Sequence, residues 1–322
     1  MKRIVFYFSA VLLFLFSLQL FAEGIRESAA KPQSGEGSRP SEKLSSSSSP
    51  AAGSSVWKVT KDGNTLFFGG SVHILREKDF PLPEEFDYAF SRSKILVLET
   101  DTDQLTEPEI MQYLLSQMIL PDDVTVESLL DAETYYALSL ACDEYGYSIE
   151  DAEKIKPSMI INMLLVLQIQ KLGFVQQGID DYYQIKAQND NMPVKFLEPV
   201  QTQIDMLVTM GEGYENEYVS YSLKDMENTE TSLETMMREW RYGTTGANEE
   251  ALIDMRDNWP KLYKALITDR HNEWMPQIKE FFSTGQVHFI IAGLLHMHGP
   301  DGLLRQLEDL GYKAEKVIIR NF

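Results

Sequence analysis

The sequence predicts an α/β fold, in which both ends of the folded chain form a central mixed or mostly parallel sheet around a large helical insertion. Three observations lead to this prediction. Residues 56–101 combine strand-like and helix-like patterns, residues 106–280 show helical periodicity almost throughout, and residues 287–319 return to strand-like patterns. Hydrophobic residues make up 43% of the 322-residue chain, which is enough to bury a sizeable core. We therefore expect a single domain over residues 56–322.

The amino-terminal flank of the sheet is predicted from a hairpin, a helix and a buried strand. The runs 56–60 and 65–70 flank the turn Asp62-Gly63-Asn64, a pattern typical of a β-hairpin. Residues 84–93 have helical spacing, and residues 95–98 are all apolar. A fully apolar strand is typical of a parallel sheet that is buried on both faces.

The rest of the chain divides into a helical middle and a return to the sheet. Helical spacing recurs at 107–118, 128–145, 157–172, 178–189, 198–211, 214–241, 248–255 and 259–282. One short strand, 194–197, is predicted within this region. The carboxyl-terminal flank predicts a strand at 287–292, a helix at 300–310 and a strand at 314–319.

The first 55 residues differ from the rest in composition. Lys2 and Arg3 precede an apolar run at residues 4–21, so residues 1–22 are predicted to be a signal peptide or an uncleaved membrane anchor. Residues 23–55 are rich in Ser, Gly, Pro and Ala and predict a disordered linker. We expect an exported protein, in the periplasm, at the cell surface or outside the cell. Membrane contact is expected only through an uncleaved amino-terminal segment.

Charge and cysteine usage exclude several classes of function. The formal net charge of −20 gives a surface that repels nucleic acid, so no nucleic-acid partner is expected. Acidic residues are spread along the helices and predict neither a particular partner nor an oligomeric state. The single cysteine, Cys142, excludes an intramolecular disulfide framework and a thiolate-rich metal site. Its apolar helical surroundings predict a buried structural thiol.

Two Gly-x-x-His motifs stand at opposite ends of the predicted domain. Gly70 to His73 follows the hairpin, and Gly293 to His296 follows the strand at residues 287–292. Open α/β sheets bind ligands at the carboxyl ends of their strands, and a glycine there lets the backbone turn sharply. We therefore expect His73 and His296 to share one site. The alternative for each is a hydrogen-bonded loop histidine.

A third strand end adds carboxylates. The apolar run 95–98 delivers Glu99 and, two residues later, Asp101. Two imidazoles and one carboxylate leave open positions on a divalent ion, which metal-assisted hydrolysis needs in order to activate a water. The sequence therefore predicts a metal-dependent hydrolytic site at His73, Glu99 and His296. The alternative for Glu99 and Asp101 is capping of the following turn.

Two further histidines give weaker signals. His288 lies in the middle of an apolar strand, and we predict that it is a core residue. His298 lies two residues beyond His296, so it either supports the site or is solvated.

Six blocks of the sequence follow one another in a recognisable order. They are Phe68-Gly69-Gly70-Ser71-Val72-His73, Leu96-Val97-Leu98-Glu99-Thr100-Asp101, Gly178-Ile179-Asp180, Phe196-Leu197-Glu198, Arg270 with Trp274, and the run from Ala292 to Leu304. Together they resemble the TraB/GumN family, and the last block is the most specific. The resemblance covers the chain from residue 56 to its end.

The resemblance implies a fold in which Gly-x-x-His motifs from both ends surround one site. It also implies a relation to the animal Tiki metalloproteases, which use a divalent ion such as manganese or cobalt; zinc suits the same ligand types. By that analogy His73, Glu99 and His296 form the metal or catalytic core, and the substrate is a peptide or protein.

Three more residues match family positions that line the same cleft. Asp180 is a further metal-ligand candidate, and Glu198 and Arg270 are catalytic candidates, the arginine pairing a carboxylate or holding a substrate carbonyl. The chain departs from the family where Arg270-His271 replaces the usual Arg-Asn pair, which leaves the role of His271 ambiguous. It also has Gly69-Gly70-Ser71 where the family usually shows Gly-Thr.

Three rival functions remain open from the sequence. The first is a non-catalytic module that binds haem, a peptide or a saccharide. The second is a hydrolase without a metal, in which His73 or His296 is the general base and Glu99 orients it. The third is a regulator or scaffold of other exported proteins.

Overall fold

The chain enters the sheet through a tight hairpin. The computed structural model describes residues 53–319, in which β1 (Val56–Lys61) pairs antiparallel with β2 (Asn64–Ser71). Asp62 and Gly63 connect the two strands, with φ of 51° and 82°. Two-residue hairpin loops favour this left-handed conformation, and Asp-Gly adopts it readily. The predicted hairpin is confirmed.

Six of the eight strands within residues 53–319 form the main sheet. After β1 and β2 the chain forms β3 (Ile74–Leu75), β4 (Ile95–Leu98), β5 (Gln176–Gln177), β6 (Val194–Phe196), β7 (His288–Gly293) and β8 (Lys313–Lys316). The order in the main sheet is β6-β4-β7-β2-β1-β8, and β3 pairs with β5 in a small separate sheet. The pairs β6–β4, β4–β7 and β7–β2 are parallel, whereas β2–β1 and β1–β8 are antiparallel. This arrangement confirms the predicted α/β class.

The carboxyl-terminal strand β7 lies in the middle of the sheet, between β2 and β4. Its register places Gly293 beside Ser71 of β2 and Ile290 beside Val97 of β4. Every residue of β7 is buried. The carboxyl ends of four neighbouring parallel strands, β6, β4, β7 and β2, therefore meet at one edge of the sheet. This is the edge at which open α/β sheets bind ligands.

Helices cover the sheet and form the insertion. They are α1 (Glu84–Arg92), α2 (Pro108–Met118), α3 (Val126–Leu129), α4 (Ala132–Glu144), α5 (Pro157–Lys171), α6 (Ile179–Asn189), α7 (Val200–Val208), α8 (Glu215–Met226), α9 (Thr229–Tyr242), α10 (Gly246–Asn258), α11 (Pro260–Tyr263), α12 (Asp269–Ser283), α13 (Leu294–Met297) and α14 (Leu303–Asp309). Short 3₁₀ turns span Glu77–Asp79, Thr102–Thr106 and Glu150–Ala152, and Lys264–Thr268 forms a π-helical segment. Among the described residues, no helix is long and apolar enough to cross a membrane.

Two long predicted helices are interrupted in the structure. The predicted helix 214–241 breaks after Met226, because Asn228 has non-helical backbone angles and α9 starts after it. The predicted helix 259–282 contains the π-helical segment between α11 and α12. The hydrophobic period continues across both interruptions, so these boundaries were wrong although the helical character was right.

The core includes the predicted thiol. Cys142 is fully buried in α4, and burial raises the pKa of its thiol to about 11. A thiol with such a pKa stays protonated at neutral pH and is a poor nucleophile. The prediction of a structural cysteine is confirmed. The predicted signal or anchor at residues 1–22 lies outside the described residues, as does almost all of the predicted linker.

Candidate functional site

The predicted site residues meet at the carboxyl edge of the parallel strands. Glu99 follows β4, Glu198 lies two residues beyond β6, and His73 lies two residues beyond β2. His296 lies in α13, immediately after β7, and Arg270 in the first turn of α12. All five residues are at most 8% exposed. The sheet topology therefore brings together residues from both ends of the chain and from the helical middle.

Arg270 is the centre of the site. Its Nε atom lies 3.1 Å from both carboxylate oxygens of Glu198, and Nη2 donates to Glu198 Oε1 at 2.6 Å. The same Nη2 donates to Glu99 Oε2, and Nη1 lies 2.8 Å from His296 Nε2. The indole of Trp274 lies against the guanidinium, with 4.5 Å from the guanidinium carbon to the ring centroid. The arginine thus binds two buried carboxylates and one imidazole.

Neutral donors complete the shell around both carboxylates. The backbone N–H of Gly293 donates to Glu99 Oε1 at 2.6 Å, and Gln203 donates to Glu99 Oε2 at 3.2 Å and to Glu198 Oε1 at 2.9 Å. Trp274 Nε1 donates to Glu198 Oε2 at 2.9 Å. Buried charges need partners of this kind, because each charge has lost its contact with water.

The charge of Glu99 follows from its neighbours. Burial would raise the pKa of its carboxyl, but the positive charge of Arg270, with His73 and the Gly293 N–H, outweighs burial and holds the pKa below its usual range. In the same way, Glu99 and Glu198 outweigh burial and raise the pKa of Arg270. Both groups are therefore charged at neutral pH.

His73 pairs with Asp180. The distance from His73 Nδ1 to Asp180 Oδ2 is 2.6 Å, and the imidazole donates because the carboxylate accepts. Burial would lower the pKa of His73, but the charge and hydrogen bond of Asp180, together with Glu99 and Asp181, raise it above the ordinary value. The hydrogen on Nδ1 leaves Nε2 of the neutral ring with its lone pair.

The small β3–β5 sheet brings Asp180 to His73. β3 begins directly after His73, and β5 ends directly before Gly178, which precedes α6. A Cβ atom on Gly178 would lie 2.4 Å from both the carbonyl carbon and the carbonyl oxygen of His73. Glycine is therefore required where α6 begins against the His73 backbone.

Gly293 marks the point on which the predicted ligands converge. A Cβ atom added there would lie 3.3 Å from Glu99 Oε1, 3.5 Å from His73 Nε2 and 3.5 Å from His296 Cδ2. The side chains of these three residues therefore surround one backbone position.

His271 and Gln203 also belong to the site. His271 Nε2 lies 2.9 Å from His296 Nδ1, so the residue of ambiguous role contacts a predicted catalytic residue. Sequence reasoning missed Gln203 altogether. A signal for it existed, because Gln203 is a polar residue on the buried face that α7 forms with Val200, Ile204 and Leu207.

The other weaker candidates lie elsewhere. His288 is fully buried in β7 and stacks on Phe281 with 4.7 Å between ring centroids, which confirms the core prediction. His298 packs edge-on against Trp57, and burial with the nearby Lys316 lowers the pKa of its imidazole to about 3. Asp101 accepts hydrogen bonds from glutamine side chains and makes no side-chain cap at the following 3₁₀ turn.

The donor atoms do not fit a divalent ion as they are arranged. Within residues 53–319, no group of three or more His, Cys, Asp or Glu side chains is placed to hold a metal ion. The reason is visible in the hydrogen bonds: both Glu99 oxygens and His296 Nε2 accept N–H groups, chiefly from Arg270. Asp180 Oδ2 accepts from His73. Metal binding by His73, Glu99, His296 and Asp180 stays a prediction.

The fold and the site define an α/β protein with a buried arginine, carboxylate and histidine cluster at its strand ends. A sequence model of the TraB/PrgY/gumN family matches residues 55–316. The chain belongs to this family, which confirms the resemblance predicted from the sequence. No curated protein and no solved structure matches the chain.

Proposed function

We propose that the protein is a hydrolase of peptide or related amide bonds, with His73 as its general base. The observation that carries this proposal is the 2.6 Å contact between His73 and Asp180, in an imidazole whose Nε2 lies near the Gly293 position that Glu99 and His296 also surround. A carboxylate on Nδ1 orients the imidazole and sets its tautomer, so Nε2 accepts a proton from an attacking water. The raised pKa of His73 makes that nitrogen a stronger base.

Arg270 supplies the positive charge in this proposal. Peptide hydrolysis develops negative charge on the substrate carbonyl oxygen, and a preorganised cation stabilises this charge most in a site shielded from bulk water. The hydrogen bonds to Glu99, Glu198 and His296 use Nε, Nη2 and one hydrogen of Nη1. The second hydrogen of Nη1 is the donor assigned to the substrate oxygen.

The family resemblance supports a second, metal-dependent form of the proposed reaction. In that form manganese, cobalt or zinc would be bound by His73, Glu99 and His296, with Asp180, and would polarise the substrate. Arg270 would first have to leave Glu99 and His296, because it now uses their lone pairs. Turnover after exhaustive chelation supports the metal-free form, and turnover restored only by added metal supports the metal-dependent form.

The test uses the full chain and a library of peptides and esters, with and without chelator and added metal. We expect His73→Ala to lower turnover about 10²–10⁴-fold, the usual contribution of a general base. Asp180→Asn should lower it as well. His288→Gln is the matched control, because His288 is a buried histidine that stacks on Phe281 outside the site. Absence of turnover in every condition would contradict the proposal and favour a ligand-binding or regulatory function.

Export is a separate part of the proposal. It is supported by the basic residues and apolar run within residues 1–22. An exported enzyme would meet its proposed peptide or protein substrate outside the cytoplasm. Cell fractionation with amino-terminal sequencing of the mature protein tests this point, and an intact amino terminus in the cytoplasm would contradict it.

A further inference from the structure

We propose that His271 is a positioning residue that holds the His296 ring with its hydrogen on Nδ1 and its Nε2 lone pair towards Arg270. The effect on turnover rests on the proposed function, whereas the protonation pattern does not. Both imidazoles are almost completely buried, so neither has water as an alternative partner. Their partners therefore decide which nitrogen carries the hydrogen.

The contacts at the two ends of the histidine pair fix its direction. At one end, Arg270 Nη1 lies 2.8 Å from His296 Nε2, and a guanidinium can only donate. At the other end, His271 Nδ1 lies 2.7 Å from the backbone oxygen of Asp301, and a carbonyl can only accept. Gln306 Nε2 also donates to this oxygen, at 2.6 Å, and lies 3.2 Å from His271 Nδ1. Because the shared oxygen accepts from both nitrogens at shorter distances, the contact between the two nitrogens is not a hydrogen bond. The pair therefore lies between a fixed donor and a fixed acceptor.

One arrangement of hydrogens satisfies all three contacts. Arg270 donates to His296 Nε2, His296 Nδ1 donates to His271 Nε2 across 2.9 Å, and His271 Nδ1 donates to Asp301. The reverse arrangement would set two donors against each other at 2.8 Å and two acceptors at 2.7 Å. Each ring carries a single hydrogen in this arrangement, so both imidazoles are neutral.

The consequence reaches Arg270. If His271 could not accept, the buried Nδ1–H of His296 would have no partner, and the ring would have to rotate or withdraw. Arg270 would then lose the acceptor of its Nη1 hydrogen. His271 thus holds the guanidinium in place through His296.

The first experiment is ¹⁵N spectroscopy of the full chain labelled at its five histidines, with assignments from single-histidine variants. We expect His271 and His296 both to be protonated at Nδ1 and bare at Nε2 at neutral pH. Protonation of His296 at Nε2 in the unaltered chain would overturn the proposal. This readout needs no turnover, so it is independent of whether the protein is a hydrolase.

The second experiment compares two substitutions of His271. His271→Phe keeps a planar ring beside Trp274 and His296 but removes the acceptor, whereas His271→Gln places an amide oxygen near the former Nε2. We expect His271→Phe to change the His296 nitrogen shifts and to lower turnover about 10–100-fold, as loss of a supporting hydrogen bond does in metal sites. His271→Gln should restore both. Unchanged His296 ¹⁵N chemical shifts in a folded His271→Phe variant would overturn the positioning role. If that variant does not fold, the ¹⁵N spectrum of the unaltered chain still decides the tautomer of His296.

Discussion

At the scale of single residues, the site is organised by one arginine that lies between two carboxylates. Glu99 and Glu198 are buried, and each has lost its hydration. Their charges are tolerated because the same guanidinium donates to both. Such a cluster is sensitive to loss of one partner, since the remaining charges then stay buried without compensation.

Substitution of Arg270 should therefore destabilise the whole protein. We expect Arg270→Met to lower the free energy of unfolding by about 3–5 kcal/mol, the usual effect of breaking a buried ion pair. Chemical denaturation of the full chain measures the change. The control is the triple variant Arg270→Met, Glu99→Gln and Glu198→Gln, which has no buried charge at these positions and should recover part of the loss. Equal stability of Arg270→Met and the unaltered chain would show that the carboxylates are not buried ions.

At the scale of elements, the position of α6 decides whether Asp180 reaches His73. The helix begins at Ile179, whose backbone N–H donates to Val72 at 3.1 Å. Gly178 touches the His73 carbonyl at that point, and β3 pairs with β5 beside it. The general-base pair is therefore built by one close approach of a helix start to a strand end.

Gly178→Ala tests that approach. The added methyl group would lie 2.4 Å from backbone atoms of His73, so α6 has to shift and lengthen the His73–Asp180 contact. We expect a loss of about 1–3 kcal/mol in stability, as for other overpacked sites, and a loss of turnover. Gly246→Ala is the matched control, because Gly246 starts α10 and its added Cβ meets no atom within 4 Å. The unfolding temperature and the turnover of both variants are measured. Equal changes in Gly178→Ala and Gly246→Ala would contradict the prediction.

The edge strand β8 gives a prediction about pH. Lys316 Nζ donates to the Ser54 carbonyl at 2.7 Å and lies over the Trp57 ring, and burial lowers the pKa of the lysine to about 8. Between this value and the ordinary value of 10.5, the unfolded chain binds more protons at Lys316 than the folded chain does. The contribution of Lys316 to stability therefore rises with pH over this window.

The measurement is the free energy of unfolding of the unaltered chain minus that of Lys316→Met. It is taken at intervals from about pH 7.5 to about pH 10.5, which covers the range between the folded and unfolded pKa values of Lys316. The difference removes the titration of the other groups, including the tyrosines. We expect the difference to increase with pH. A constant or decreasing difference would mean that the folded lysine titrates as it does in water.

At the scale of the whole molecule, the sheet is completed only by the end of the chain. β7 lies between β2 and β4, so these two strands have no direct pairing with each other. The same strand supplies the Gly293 N–H to Glu99 and leads directly into His296. The stability of the sheet and the geometry of the site therefore both depend on the placement of β7 between two strands that come much earlier in the chain.

Removal of residues 287–322 should abolish cooperative unfolding. The shortened chain lacks a strand whose six residues are all buried, and it exposes the facing edges of β2 and β4. Circular dichroism during heating measures cooperativity. Addition of a peptide of residues 285–322 should restore part of the transition, because the edges that it pairs with are present. A sharp transition in the shortened chain alone would show that the sheet forms without β7.

The sequence by itself determined the parts of the protein that depend on neighbouring residues. The hairpin at Asp62-Gly63, the apolar strands and the helical middle follow from local backbone preference and from the period of the hydrophobic residues. His73, Glu99 and His296 could be selected in advance, because polar residues that follow buried strands collect at one sheet edge. The family was also predictable from short motifs in a fixed order.

Only the tertiary structure decided how these residues interact. The order that puts β7 between β2 and β4, the position of Arg270 among the predicted ligands and the contact between His271 and His296 join residues that are far apart in the chain. No local pattern contains them. The same holds for charge: the raised pKa of His73 and the lowered pKa of His296 come from burial and from partners that only folding supplies.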